Sequence, residues 1–91
     1  MIDETFQMCQ YMLNNKPRTV DDAYSHMVLE VEELRTAILY NDGDDGTFGE
    51  AIDVILCALD VIFLDNPNVT KEDITAYAVK KLNKWKETYA S

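Results

Sequence analysis

A chain of 91 residues, 47% hydrophobic and 27% charged, has the composition of a folded globular protein and not of a disordered one. Its net charge of −9, from 17 acidic and 8 basic residues, argues against a nucleic-acid polymer or an anionic membrane as the main partner. A free nucleotide remains compatible, because a divalent cation can supply the missing positive charge. The length fits one domain over residues 1–91, small enough that its core is marginal alone, so a homo-oligomer is expected.

The pattern reads as four helices in an all-α bundle. The first covers Ile2 to about Asn14, with Ile2, Phe6, Cys9 and Leu13 at helical spacing, and ends ahead of Pro17. Thr19 is an N-cap with Asp21 and Asp22 in the first turn, opening a second helix from Val20 to Tyr40. Its apolar stripe is Val20, Tyr24, Met27, Val31, Leu34 and Ile38.

The segment Asn41-Asp42-Gly43-Asp44-Asp45-Gly46 reads as a turn. It is not a calcium loop: with Gly46 at the sixth position, Gly43 falls at the third and Ile52 at the twelfth. Thr47 with Glu50 three residues on fits a capping box for a third helix running to about Asp65. That helix is apolar on nearly all sides and must be covered on most of its circumference. After Asn66-Pro67-Asn68, Thr70 caps a fourth helix whose inward face is Ile74, Ala78, Leu82, Trp85 and Tyr89. The longest apolar run, Val54 to Leu64, is interrupted by Asp60 and is too short to span a membrane. With no basic leader and no CxxC or Cys/His cluster, the chain is expected to be cytoplasmic, with Cys9 and Cys57 as buried reduced thiols.

Two acidic motifs stand out, Glu30-Val31-Glu32-Glu33 and Glu50-Ala51-Ile52-Asp53. In each, the outer carboxylates lie three residues apart and can converge on one point. At about 100° per residue from Glu30, the apolar stripe of the second helix spans roughly 40° to 120°, with Glu33 near −60° and Glu32 near 200°. Glu30 and Glu33 therefore border the stripe, while Glu32 is solvated. On the third helix Glu50, Asp53 and Asp60 are the only acids in the apolar body, and they share one sector of about 80°. Four carboxylates at a partly buried site repel one another, a conflict that a divalent cation removes. Ligation by carboxylates alone suits Mg²⁺ or Mn²⁺. The bland alternative is a solvated acidic face, and Glu50 has the further alternative of a capping-box residue.

Leu29-Glu30-Val31-Glu32-Glu33-Leu34 and Glu50-Ala51-Ile52-Asp53-Val54, with sixteen residues between Glu33 and Glu50, resemble the ExxE…ExxD signature of the all-α nucleotide pyrophosphohydrolases, closest to the MazG-like branch. The resemblance covers about residues 20–86. It implies a helical fold that dimerises or tetramerises and hydrolyses a (deoxy)nucleoside triphosphate to monophosphate and pyrophosphate. It also implies that Glu30, Glu33, Glu50 and Asp53 hold Mg²⁺. A metal-held carboxylate can lie within hydrogen-bond reach of the attacking water, so Glu33 or Glu30 is the expected general base. Asp60 stands where these proteins often carry a polar residue, usually asparagine. Lys81-Leu82-Asn83-Lys84 resembles their basic segment, making Lys81 and Lys84 the candidate phosphate contacts, with a solvated helix end as the alternative.

His26, one turn before Glu30, reads as an ordinary surface residue, and Tyr24, Tyr77 and Trp85 read as core. The rival functions are phosphoribosyl-ATP pyrophosphohydrolase, whose lysine-rich approach to the first motif is replaced here by Ser25-His26-Met27-Val28, and a non-catalytic helical module binding a nucleotide or protein. A di-iron bundle would need ExxH motifs, and neither Glu30 nor Glu50 has a histidine three residues on.

Overall fold

The computed structural model describes residues 1–41 and 45–89. Four α-helices follow in order, α1 (Ile2–Asn15), α2 (Val20–Tyr40), α3 (Gly46–Asp65) and α4 (Lys71–Tyr89), with no strand among the described residues. No helix of the described chain is long and apolar enough to cross a membrane.

Local chemistry sets most boundaries. The Thr19 hydroxyl accepts from the Asp22 N–H at 3.1 Å, and the Asp22 carboxylate accepts from the Thr19 N–H at 3.0 Å. Thr70 and Asp73 repeat that reciprocal pair at 3.1 and 3.0 Å at the start of α4. Each pair satisfies two backbone donors that a helix start otherwise leaves free.

The start of α3 departs from expectation. The N-cap is Asp45, with no side-chain hydrogen bond, and the helix already runs through Thr47. Of the expected turn, Asp42, Gly43 and Asp44 lie outside the described residues. Its flanks, Asn41 at φ 49° and Gly46 at φ 64°, both take the left-handed backbone. Gly49 has a different reason to be glycine: a Cβ there would collide with Asp45 Cβ. Gly49→Ala is expected to cost about 1–3 kcal/mol, read as a lower urea midpoint with an unchanged m-value.

Packing centres on α3. It lies along α2 for much of its length and carries α1 on another side, where Phe6 meets Phe63 with ring centroids 5.8 Å apart. The buried side chains among the described residues are Cys9 on α1, Ala23 and Ala37 on α2, and Cys57, Leu59 and Phe63 on α3. The stripe expected on α1 holds, with Cys9 buried and Ile2, Phe6 and Leu13 half-buried.

The stripe expected on α2 is rotated. Val20, Tyr24, Val31 and Ile38 are exposed, and the face against α3 runs through Ala23, Glu30 and Ala37 at seven-residue steps, flanked by Met27 and Leu34. The small alanines let α2 approach α3 closely, so a glutamate sits in the seam instead of at its border.

The inward face expected on α4 is largely uncovered in the single chain. Ile74 is half-buried, but Leu82, Trp85 and Tyr89 are exposed, and no α4 residue is buried. Tyr24 and Tyr77 are also exposed, against the expectation of core positions. The Cα radius of gyration is 15.0 Å, where a compact domain of this length has about 12 Å. The accessible surface of 6976 Å² exceeds the ~5,400 Å² of a compact monomer of 10.4 kDa by about 1,600 Å².

Candidate metal centre

The α2–α3 seam brings Glu30, Glu50 and Asp53 together, each half-buried, with one oxygen from each lying within 4.8 Å of the other two. Glu50 and Asp53 stand three residues apart on α3, so their carboxylates emerge side by side. Glu30 reaches them from α2 because Ala23 and Ala37, one heptad away on either side, hold that face of the helix against α3. The capping-box alternative for Glu50 falls away, since α3 begins before Thr47. Glu50 Oε2 is buried with no hydrogen-bond partner, as is Glu30 Oε2.

Two buried carboxylate oxygens without donors are costly unless something positive meets them. Burial raises the Glu30 pKa above its ordinary value, and the neighbouring Glu33 and Asp53 charges push it further, against a partial offset from His26. Burial likewise raises Glu50, followed by the charges of Glu33, Asp53 and Glu30. The donor set is all carboxylate, hard and anionic, and fits a divalent cation of the Mg²⁺ or Mn²⁺ kind.

Of the four expected ligands, Glu33 stands outside this triad. It is exposed and lies beside Glu30, close enough to act on both glutamates. Glu32 is exposed, as its azimuth implied. Lys81 and Lys84 are exposed on α4. Lys81 lines a separate groove with Asp65, Asn66 and Asp73, its Nζ 5.7 Å from the Tyr77 ring centre.

Asp60, expected at the substrate, forms an ion pair with Arg18 in which both side chains are mostly buried. Arg18 escapes sequence reading. It is a lone cation between Pro17 and the Thr19 cap, 42 residues from its partner. The pair lines a cleft of about 450 Å³ between α1, α2 and α3, with Met8, Met12, Leu56 and Cys57.

His26 connects the cleft to the carboxylates. Its Nε2 lies 3.3 Å from Glu30 Oε1 and its Nδ1 lies 3.7 Å from Cys57 Sγ, so it is more than a surface residue although largely exposed. Both cysteines are buried free thiols, as expected. Burial, with a hydrogen bond to Asp60 and its charge, pushes the Cys9 thiol up to about 12. Burial and the nearby acids also raise Cys57. Thiolate is the reactive form, so a disulfide-exchange reagent at pH 8 is expected to label neither cysteine in the native state and both in urea. Fast native labelling would contradict this.

Comparisons with protein families, curated proteins and solved structures found no match to this chain.

Proposed function

We propose that this chain is a Mg²⁺-dependent nucleotide pyrophosphohydrolase of the MazG-like all-α kind, releasing pyrophosphate from a (deoxy)nucleoside triphosphate. The observation that carries the reading is the carboxylate triad of Glu30, Glu50 and Asp53 on facing helices, with two buried oxygens lacking donors. The bound cation supplies positive charge against the polyphosphate and coordination positions for water and phosphate oxygens. Glu30, Glu50 and Asp53 hold it. Glu33, outside the triad and beside Glu30, is the general base of this reading and accepts the proton of the attacking water. His26 orients Glu30 through the 3.3 Å contact.

The working form in this reading is a homodimer or homotetramer. Its support is the unpartnered apolar surface on α4 and on the outer face of α2. The surface excess of about 1,600 Å² is more than the roughly 800 Å² each partner covers in a standard interface. Lys81 and Lys84 then contact phosphate only if a neighbouring copy brings α4 to the triad.

The test is incubation with a panel of canonical and modified nucleoside triphosphates and Mg²⁺ or Mn²⁺, with product identification. Pyrophosphate and monophosphate in equal amounts are expected. No pyrophosphate from any member would overturn the reading, and absence of Mg²⁺ binding by calorimetry from an intact oligomer would favour a non-catalytic module.

A further inference from the structure

One side of the α2–α3 layer is apolar and uncovered. The two helices run antiparallel: His26 meets Cys57, while Glu30, further along α2, meets Asp53 and Glu50, earlier in α3. Residues advance about 100° at a time, and opposed chain directions bring the positive-going azimuths of both helices to the same side of the seam. Tyr24, Val31 and Ile38 of α2 therefore share that side with Phe48, Ile55 and Ile62 of α3, and all six are exposed. Each set recurs at seven-residue steps. The register of His26 with Cys57 interleaves them along the layer as Ile62, Tyr24, Ile55, Val31, Phe48 and Ile38. Rows of this period are the seams by which helices pack into bundles.

Charge and area select the occupant. The chain has a net charge of −9, yet the only charged side chain within these rows is Arg35, with Asp21 and Glu32 at the rim. Two copies of an acidic protein can meet on a face that carries no carboxylate, where any other face would bring like charges together. A two-fold pair uses the same patch on both partners, which this face allows. The surface excess of about 1,600 Å² exceeds the roughly 800 Å² that each partner covers in a standard interface. Ile62 also faces Ile74, Tyr77 and Ala78 across an open groove, so the apolar side of α4 continues the face beyond the edge of the layer.

We propose that two copies of this chain stack these faces about a two-fold axis, making a four-helix core from the α2–α3 layers of both. The groove between Ile62 and α4 receives the edge of the partner's layer, so that α4 clasps the other copy. The inference rests on the oligomeric part of the reading above and not on its chemistry. Asp53 lies roughly 140–180° round α3 from the row of Phe48, Ile55 and Ile62, so the paired molecule leaves the carboxylate triad open.

Sedimentation equilibrium of the full chain, with isotope-filtered NMR on a mixture of labelled and unlabelled copies, tests this. Dimers or pairs of dimers are expected, with contacts between copies at the methyls of Val31, Ile38, Ile55 and Ile62. The double variant Ile38→Glu/Phe48→Glu changes side chains that are 60% and 81% exposed in the single chain, so it is expected to keep its helical signal. It places unpaired carboxylates in the shared core and is expected to weaken association at least about a hundredfold. A monomeric parent, contacts between copies confined to other surfaces, or undiminished association of the folded variant would overturn the inference. The two readings separate cleanly. Pairing through this face without pyrophosphate release leaves the inference standing and removes the hydrolase reading, and pyrophosphate release by a monomeric parent does the reverse.

Discussion

Glu30→Gln is expected to have two opposite effects: pyrophosphate release falls at least about a hundredfold, while the metal-free protein melts at a higher temperature. The first follows from the proposed function, in which the substitution removes one of three anionic donors to the cation. The second follows from the seam between α2 and α3, where Glu30 is disfavoured as an anion by burial and by Glu33 and Asp53. A glutamine keeps the shape, removes one charge and offers N–H donors to the neighbouring carboxylates. Thermal unfolding with and without Mg²⁺ checks both halves. A variant as active as the parent would remove Glu30 from the site, and one that melts lower without metal would contradict the repulsion argument.

The same electrostatics fixes a pH dependence. Glu30 and Glu50 have folded-state pKa values above their ordinary 4.5, so the folded protein holds protons that the unfolded chain has released. Between the unfolded and folded values, stability falls as pH rises, and the loss is complete above the folded value. Glu4 and Asp22 act in the opposite sense. Their lowered values add stability that disappears as pH falls through the acidic range. Metal-free stability should therefore peak at mildly acidic pH, and the gain in melting temperature on adding Mg²⁺ should be larger at neutral pH than near pH 5. A gain independent of pH would place the cation elsewhere.

The second large effect is structural. Asp60→Ala strands the mostly buried Arg18 guanidinium and is expected to cost about 3 kcal/mol, measured by urea unfolding. Arg18→Met/Asp60→Leu should recover most of that loss, because replacing both charges with apolar groups of similar size leaves nothing unpaired. If Asp60→Ala costs no more than a surface substitution, the pair contributes little to stability. If the double variant is as unstable as the single, the loss comes from packing and not from the charge.

Much of the helical architecture was legible because it is written in short-range chemistry. Thr19 and Thr70 cap through acids three residues on, Pro17 and Pro67 interrupt, and the 3.6-residue period marks each helix. The Glu50–Asp53 half of the acidic triad was legible for a similar reason, since i, i+3 spacing makes two side chains neighbours on one helix whatever it packs against. The start of α3 was misread because Thr47-Glu50 satisfies the capping pattern equally well, and the choice of Asp45 instead rests on how the chain turns at Gly46.

The carboxylate site thus divides between the two levels of structure. Sequence by itself determined that Glu50 and Asp53 are neighbours, that Glu32 points away and that the donors are hard oxygens. Tertiary structure decided that Glu30 lies within the seam and Glu33 outside the triad, because burying Ala23 and Ala37 rotated α2 away from its larger apolar side chains. It also decided that Asp60 belongs to Arg18, a pairing 42 residues apart in the chain. Spacing along one helix carries no information about a partner on another element; only the packing of α1 and α2 against α3 supplies it.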